Sequence, residues 1–285
     1  MSAAQEQAAP PVIGYPGYVR VAFSHAVVMM LRRSRLILAA AIALLPVLLP
    51  PALAFLSRTP FAALGDVTFV RMMEDLYVGI LAPVLALFFA GMLVGEDVET
   101  QTIAYILTRP LPRSAWIVGR FLAYVFLCAS LLCVSAALVF AGCRSLANLE
   151  FTAAHVLRLL QYCGVLTLAI LAYGSLCLFL GTFSKRPIIY GLLLLFGWQR
   201  VAMQIPGLVD FLTLQKYLET LYPKSDVARP QDVFEQTALG FQKNAIPIEN
   251  QDALLTLFIV SVVFVVFSAV AFRIREYTAA RAAGE

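Results

Sequence analysis

Residues 95–113 read GEDVETQTIAYILTRPLPR and form a polar island in the first half of an otherwise apolar chain. The stretch begins with acids, continues through an apolar run long enough for one or two helical turns, and ends at Arg109-Pro110-Leu111-Pro112-Arg113. One long apolar run precedes it, and another begins at Trp116. A charged segment between two membrane-length apolar runs is typical of a loop at the surface of a bilayer. The chain is therefore expected to enter the membrane on both sides of this segment.

The composition indicates that lipid solvates most of the chain. Its 285 residues are 61% hydrophobic and 13% charged, whereas an average soluble domain is about 25% charged. The net charge of +4 does not indicate nucleic-acid binding, because the basic residues lie at the ends of apolar runs, where they set membrane topology. The five cysteines lie within or at the ends of those runs and are interpreted as packing residues. An all-α integral membrane protein is predicted.

Six segments meet the length of about 20 apolar residues that a transmembrane helix requires. The first contains Pro46, Pro50 and Pro51, so its second half is expected to be kinked or unwound. The fifth is the weakest, because Gln199 and Arg200 interrupt a short apolar run, and Arg200 would have to reach the outer interface. The six transmembrane helices are predicted at residues 36–56, 76–95, 116–142, 159–183, 188–203 and 253–272.

The segment before the first span is predicted to be an amphipathic interfacial helix. Residues 1–17 are rich in Ala, Gln and Pro and are expected to form a flexible cytoplasmic tail. In residues 18–35 apolar side chains recur at helical spacing, and Arg32, Arg33 and Arg35 close the segment. The alternative is an N-terminal extension of the first transmembrane helix. His25 is interpreted as an interfacial residue rather than a ligand.

The distribution of Lys and Arg predicts that both termini are cytoplasmic, because short loops on that side carry the positive charge. Residues 204–252 then form a large outer loop between spans 5 and 6. Within it, residues 208–222 place apolar side chains on one helical face, and residues 231–239 form a second candidate helix. The loop is predicted to fold as a helical cap on the membrane domain. A tethered lid with no ligand of its own is the alternative.

The sequence lacks several motifs that would indicate other classes of protein. It has no phosphate-binding loop, no H-E-x-x-H, no G-x-S-x-G and no Cys/His cluster with metal spacing. The interiors of the predicted spans contain essentially no Asp, Glu or Lys, which argues against an ion-coupled carrier. No catalytic residue, metal ligand or cofactor of this chain is predicted, and residues that bind a substrate cannot be identified.

The polar island resembles the cytoplasmic loop of ABC-2 type permeases, the membrane subunits of ATP-binding-cassette exporters. In that family an acidic start, often E-x-E-x-G-T, leads to a T-x-P-x-x-R ending and a Gly-Lys or Gly-Arg pair. One departure is Gln101, where the family commonly has Gly, and this puts the backbone geometry of the loop in doubt. The matching pieces here are Glu96, Glu99, Thr102, residues 108–113 and the pair Gly119-Arg120.

The resemblance implies a permease whose chemistry is done by a separate ATPase subunit, which would hold the ATP and Mg²⁺. It implies a six-span domain over residues 36–285 and a second permease copy, giving a homodimer surrounded by lipid. The predicted topology and the absence of eukaryotic features favour a bacterial inner membrane. The outer loop would offer a surface to an extracytoplasmic protein. The loop at residues 96–113 would seat in the ATPase and transmit its closure to substrate export or to a signal. The coupling residues would be Glu96, Asp97, Glu99, Thr102, Arg109, Pro110 and Arg113.

Two other classes remain open at the level of sequence. A membrane scaffold or assembly protein without transport activity would share the same spans and loops. A membrane-embedded enzyme would need His, Asp, Glu or Ser gathered at one depth, and the chain has only His25 and His155.

Overall fold

The computed structural model of the protein describes residues 14–56, 65–93, 112–147, 153–184, 186–204, 213–223 and 249–274. Across these ranges every regular element is helical, and the described chain forms eight helical rods, named α1 to α8 here in chain order.

The first three rods precede the polar island. α1 spans Tyr15–Met30. α2 covers residues 33–56, where a 3₁₀ turn at Leu45–Leu48 separates the α-helical parts Arg33–Leu44 and Leu49–Leu56. α3 covers residues 65–90 and consists of Gly65–Arg71, a π-helical stretch at Met72–Leu81, a turn at Ala82–Leu85 and a second π-helical stretch at Ala86–Ala90.

The other five rods follow the island. α4 spans Arg113–Ala147 and α5 spans Ala153–Phe183. α6 covers residues 187–204 and consists of Pro187–Leu192, a π-helical stretch at Leu193–Trp198, and Gln199–Gln204. α7 is the short helix Leu214–Thr220, and α8 spans Asn250–Ile274.

Four of these rods are long and apolar enough to cross a membrane. They are the segments Val67–Ala90, Arg113–Cys143, Ala153–Phe183 and Asn250–Ile274, which correspond to the second, third, fourth and sixth predicted spans. At 1.5 Å per residue an α-helix needs about 20 residues to cross the hydrocarbon core. The protein is therefore a multi-pass membrane protein.

The first and fifth predicted spans form shorter apolar helices, Ile37–Ala52 and Pro187–Trp198. In α2 the helix tightens around Pro46, as expected where a proline removes a backbone hydrogen bond. In α6 the apolar run begins at Pro187 and stops at Gln199, whose side chain is buried. The count of six spans therefore stays a prediction.

α1 and α2 are two separate helices rather than one continuous rod. The chain turns at Leu31 and Arg32, and the backbone of Arg32 (φ −56°, ψ 135°) is not helical. This break does not support the alternative in which residues 18–35 extend the first span. A helix is present in this region, beginning three residues earlier and ending five residues earlier than residues 18–35, and its amphipathic, interfacial character stays a prediction.

The bundle is built around α4 and α5. α4 contacts α1, α2, α3, α5 and α8, while α5 also contacts α3, α6, α7 and α8. Because Phe69 meets both Phe140 and Tyr162, the start of α3 lies beside the end of α4 and near the start of α5. α4 is therefore antiparallel to α3 and α5. α8 is the least enclosed of the four long helices. In its most apolar 18 residues 22% of the positions are buried, compared with 61% in α5.

A buried polar chain joins three of the helices. Tyr77 on α3 donates a hydrogen bond to the Ser135 hydroxyl on α4 (2.6 Å), and Ser135 donates to the carbonyl oxygen of Ala43 on α2. The side chains of Tyr77 and Ser135 are fully buried. Hydrogen bonds of this kind hold helices together where hydrophobic burial alone gives no preference between lipid and protein.

The π-helical stretches of α3 keep one face turned toward the bundle. From Met72 onward its buried residues come in groups of two or three whose first members lie four or five residues apart, whereas the α-helical repeat is 3.6. The i→i+5 hydrogen bonds of a π-helix supply this longer repeat. The groups are Met72–Met73, Tyr77–Gly79, Leu81–Pro83 and Leu85–Leu87.

The two ends of the bundle differ in charge. At the end where α4 begins and α8 finishes, the charged side chains that the structure describes are all arginines, among them Arg32, Arg113, Arg186 and Arg273; this is called the basic end. The opposite end mixes both signs. There the structure places Arg71, Glu74, Asp75, Arg158, Lys216, Glu219, Glu249 and Asp252.

Candidate functional site

The site that the sequence predicts lies in the polar island at the basic end. Arg113 is described by the structure, as the exposed first residue of α4. The two flanks of the island, residues 90–93 and 112–120, are also described and show how the island is attached to the bundle. The other predicted coupling residues, Glu96, Asp97, Glu99, Thr102, Arg109 and Pro110, lie outside the described residues.

The first flank is the end of α3, which packs directly on the end of α5. A Cβ added at Gly181 would lie 2.5 Å from the carbonyl oxygen of Gly91, so the two backbones touch at this point. Such close approach requires glycine, because any side chain would force the helices apart. The sequence does not predict that these two glycines meet, since 90 residues separate them and the contact depends on how α3 and α5 are aligned.

The second flank is the start of α4, which is tied to the end of α8. The Arg113 Nη1 donates a hydrogen bond to the carbonyl oxygen of Arg273 at 3.2 Å. That oxygen lies in the last described turn of α8, and helix carbonyls point toward the negative end of the helix dipole. Arg113 therefore joins the start of α4 to α8.

α1 lies against the same first third of α4. A Cβ added at Gly119 would lie 2.6 Å from the Cβ of Ala22 and 2.6 Å from the carbonyl oxygen of Val19. At the beginning of α1, the Tyr15 hydroxyl donates to Ser114 Oγ at 3.4 Å. The apolar stripe predicted for this helix is in part a protein-facing stripe, because its residues Ala22, Ala26 and Met30 are buried.

An aromatic and basic cluster fills the contact between α1 and α4. The ring of His25 lies 5.4 Å from that of Trp116, and the guanidinium carbon of Arg120 lies 5.2 Å from the centre of the Trp116 ring. Arg120 is only 4% exposed, and its cation over the indole face gains from the quadrupole of the ring. Partial burial and the nearby positive charge of Arg120 lower the pKa of His25 below its ordinary value of 6.5.

This geometry gives a physical role to the pair Gly119-Arg120, which the sequence analysis identifies only by resemblance. Gly119 makes room for the backbone of α1, and Arg120 stacks on Trp116 one turn earlier in the same helix. The sequence does not indicate that Trp116 and Ala22 make these contacts. Four residues separate Trp116 from Arg120, however, and that spacing places them on one helical face.

The opposite end of the bundle holds the described part of the predicted outer cap. Leu214 and Leu218 of α7 are buried, and the ring of Tyr222 lies 6.3 Å from that of Tyr162. The hydroxyl of Tyr162 donates to Glu74 Oε1 at 3.1 Å. Residues 208–212 and the second predicted helix at residues 231–239 lie outside the described part of the chain.

The described residues hold no cluster of three or more His, Cys, Asp or Glu side chains that could bind a metal ion. His25 lies beside the start of α4, whereas His155 lies in the first turn of α5 at the opposite end of the bundle. At the basic end, the two flanks of the polar island are the ends of α3 and α4, and they are fixed to three other helices, α5, α8 and α1.

Comparison with known families gives one match. The family described as ABC-2 family transporter protein matches residues 27–277, which is most of the chain. A search of curated proteins gives no match. The match begins within α1 and extends past the end of α8, so it covers all the long helices and both flanks of the polar island. The chain belongs to the ABC-2 family of transporter membrane proteins.

Proposed function

We propose that the protein is the permease subunit of an ABC-2 type transporter and works with a separate ATPase subunit that binds ATP and Mg²⁺. ATP-driven closure of that subunit would be transmitted through residues 96–113 to the helices, and would drive export of a substrate or a signal across the membrane. Family membership supports the permease role.

The observation that carries the coupling proposal is the attachment of the island at both ends. Its first flank packs on α5 through Gly91 and Gly181, and its second flank is bound to α8 through Arg113 and Arg273. A push on a segment held in this way moves α3 and α4, and with them their neighbours, because packed helices move as rigid bodies.

The proposed roles of the island residues follow from their chemistry. Glu96, Asp97 and Glu99 would pair with basic residues of the ATPase, and Arg109 with acids or lipid phosphates. Pro110 would stiffen the corner before α4. Thr102 belongs to the matching motif, and Arg113 would join the loop to α4 and α8.

The charge difference between the two ends supports the orientation that we propose. Arginines line the basic end in the described chain, and positive charge near the ends of spans favours the cytoplasm. The basic end would then face the ATPase, with both termini on that side of a bacterial inner membrane. α1 would lie in the interface beside the ATPase. α2 and α6 would complete six spans, and a second copy would complete the translocation path.

Co-expression with candidate ATPase subunits, followed by purification in detergent and an ATPase assay, tests the proposal. The variants are Glu96→Ala/Glu99→Ala and Arg109→Ala. Glu249→Ala/Asp252→Ala is a matched control, because it removes two exposed acids at the same spacing from the opposite end. Arg71→Ala, an exposed arginine at that end, is the control for Arg109.

We expect an ATPase to co-purify with the wild type and with both controls, and the island variants to lose the complex or its stimulated activity. A complex that forms without stimulated ATPase activity in the wild type would favour a scaffold. If no ATPase binds, or if the island and control variants behave alike, the coupling proposal is wrong.

A further inference from the structure

Two arginines from neighbouring helices meet at the basic end. Arg113 is the first residue of one membrane-length helix, and Arg273 lies in the last described turn of another. The Arg113 Nη1 donates to the Arg273 carbonyl oxygen at 3.2 Å, and both residues are exposed. Because each arginine stands at an end of an apolar helix, the contact holds two positive side chains at the depth of the lipid headgroups.

The two side chains keep hydrogen-bond donors for an anion. Arg113 uses one of its N–H groups on the carbonyl oxygen, while Arg273 contributes only that backbone oxygen to the bond. A guanidinium carries further N–H donors in a planar fork, and this fork fits two oxygens of one phosphate group. Two nearby positive charges also repel each other. A phosphate bound between them would replace this repulsion with two attractions.

An apolar stripe runs along α8 from this pair into the membrane. Val270, Val266 and Val262 precede Arg273 by three, seven and eleven residues, a spacing that places all four residues on one helical face. The three valine side chains are 45–51% exposed. A phospholipid has the same order of groups, with a phosphate at the interface and acyl chains that extend into the hydrocarbon. The pair and the stripe together therefore match a lipid molecule better than a free anion.

We infer that Arg113 and Arg273 bind the phosphate of an anionic phospholipid whose acyl chains lie along the exposed face of α8. A headgroup without an amine is preferred, because the ammonium group of a zwitterionic lipid would lie beside two guanidinium groups. The bound lipid would join α4 to α8 next to the second flank of the polar island. The inference rests on this geometry and not on the proposed coupling to an ATPase, and it is tested separately.

Native mass spectrometry of the purified full-length protein tests the inference. The protein in detergent is titrated with dioleoyl phosphatidylglycerol or with dioleoyl phosphatidylcholine, and the fraction that carries a lipid is measured. We expect the wild type to bind phosphatidylglycerol more tightly. Each arginine beside an anionic lipid contributes a factor of about five in affinity, so Arg113→Gln/Arg273→Gln should bind this lipid about twentyfold more weakly. Arg273→Gln alone keeps the carbonyl oxygen that Arg113 contacts and should weaken binding about fivefold.

The matched control is Arg32→Gln/Arg186→Gln, which removes two exposed arginines of the basic end that precede α2 and α6. This variant should bind phosphatidylglycerol as the wild type does. Equal binding of the two lipids by the wild type would overturn the inference. So would an equal loss of affinity in both double variants, which would indicate a diffuse attraction to the whole basic end. Displacement of the lipid by excess inorganic phosphate would also overturn it, because the site would then bind free anions.

Discussion

At the scale of single residues, the polar chain from Tyr77 through Ser135 to Ala43 is a buried contact that joins three helices. It connects α3, α4 and α2 inside the bundle, where neither lipid nor water supplies an alternative partner. Ser135 is the central member, because it accepts from Tyr77 and donates to the Ala43 carbonyl.

Replacing Ser135 with Ala removes both hydrogen bonds and leaves the Tyr77 hydroxyl buried. Interhelical hydrogen bonds in membranes contribute about 0.6 kcal/mol on average, so Ser135→Ala should lower the free energy of unfolding by about 1 kcal/mol. Unfolding by detergent titration in mixed micelles measures this change. Ser130→Ala is the control, because the exposed Ser130 hydroxyl bonds only within its own helix, to Leu127. Equal effects of the two substitutions would contradict the role assigned to the chain.

Few of these residue contacts could be predicted from the sequence. The pair Gly119-Arg120 is identified by its motif, but its partners Ala22 and Trp116 are not. Ser135 and Tyr77 are 58 residues apart, and whether they meet depends on the alignment of two helices along each other. A periodic apolar sequence does not determine that alignment, because sliding a helix by one turn leaves its hydrophobic face unchanged.

At the scale of elements, the position of α1 depends on its close contact with Gly119 of α4. Its backbone meets α4 at Gly119, where there is no space for a side chain. The contact is close because Ala22 and Gly119 are both small, as in other membrane helix pairs.

Gly119→Val should separate α1 from α4 and make amide hydrogens in residues 15–30 exchange faster. Overpacking of a close contact costs about 1–3 kcal/mol, and about 1.4 kcal/mol corresponds to a tenfold change in exchange. Hydrogen exchange read by mass spectrometry measures the effect. Gly164→Val is the control: it adds the same side chain within a helix, but a Cβ there meets nothing within 4 Å. Unchanged exchange of α1 in Gly119→Val would show that the helix is held by other contacts.

The sequence predicts the elements better than their contacts. Apolar length identifies the four long helices, since the cost of exposing polar backbone in lipid leaves few alternatives to a helix. For the first and fifth segments the structure gives the shorter apolar helices Ile37–Ala52 and Pro187–Trp198, so their role as membrane spans stays a prediction. The π-helical stretches of α3 are not predicted, because apolar length does not distinguish an α-helical from a π-helical repeat.

At the scale of the whole molecule, the separation of charge between the two ends is the feature that bears on orientation. The charged side chains described at the basic end are all arginines, whereas both signs occur at the opposite end. The positions of Lys and Arg along the sequence predict this separation, because positive charge in short loops sets the topology of membrane proteins.

The orientation can be tested with two single cysteines in a background without the five native ones. Ser184→Cys lies after α5 at the basic end, and Thr220→Cys lies in α7 at the opposite end. A membrane-impermeant maleimide added to intact cells should label Thr220→Cys at once and Ser184→Cys only after permeabilisation. The reverse pattern would place the basic end outside and would exclude contact with a cytoplasmic ATPase there.

The π-helical stretches of α3 have a consequence for chain length. An i→i+5 turn encloses one residue more than an i→i+4 turn, so α3 holds more residues than an α-helix between the same two neighbours would need. If one residue within Met72–Leu81 is deleted, one π-helical turn can change to α-helical hydrogen bonding. The residues at both ends of α3 then keep the same side chains directed at the bundle. The same deletion in the regular helix α4 would rotate everything beyond it by about 100°. Among the long helices that the structure describes, α3 is thus the one whose length can change by a residue while the bundle stays in register.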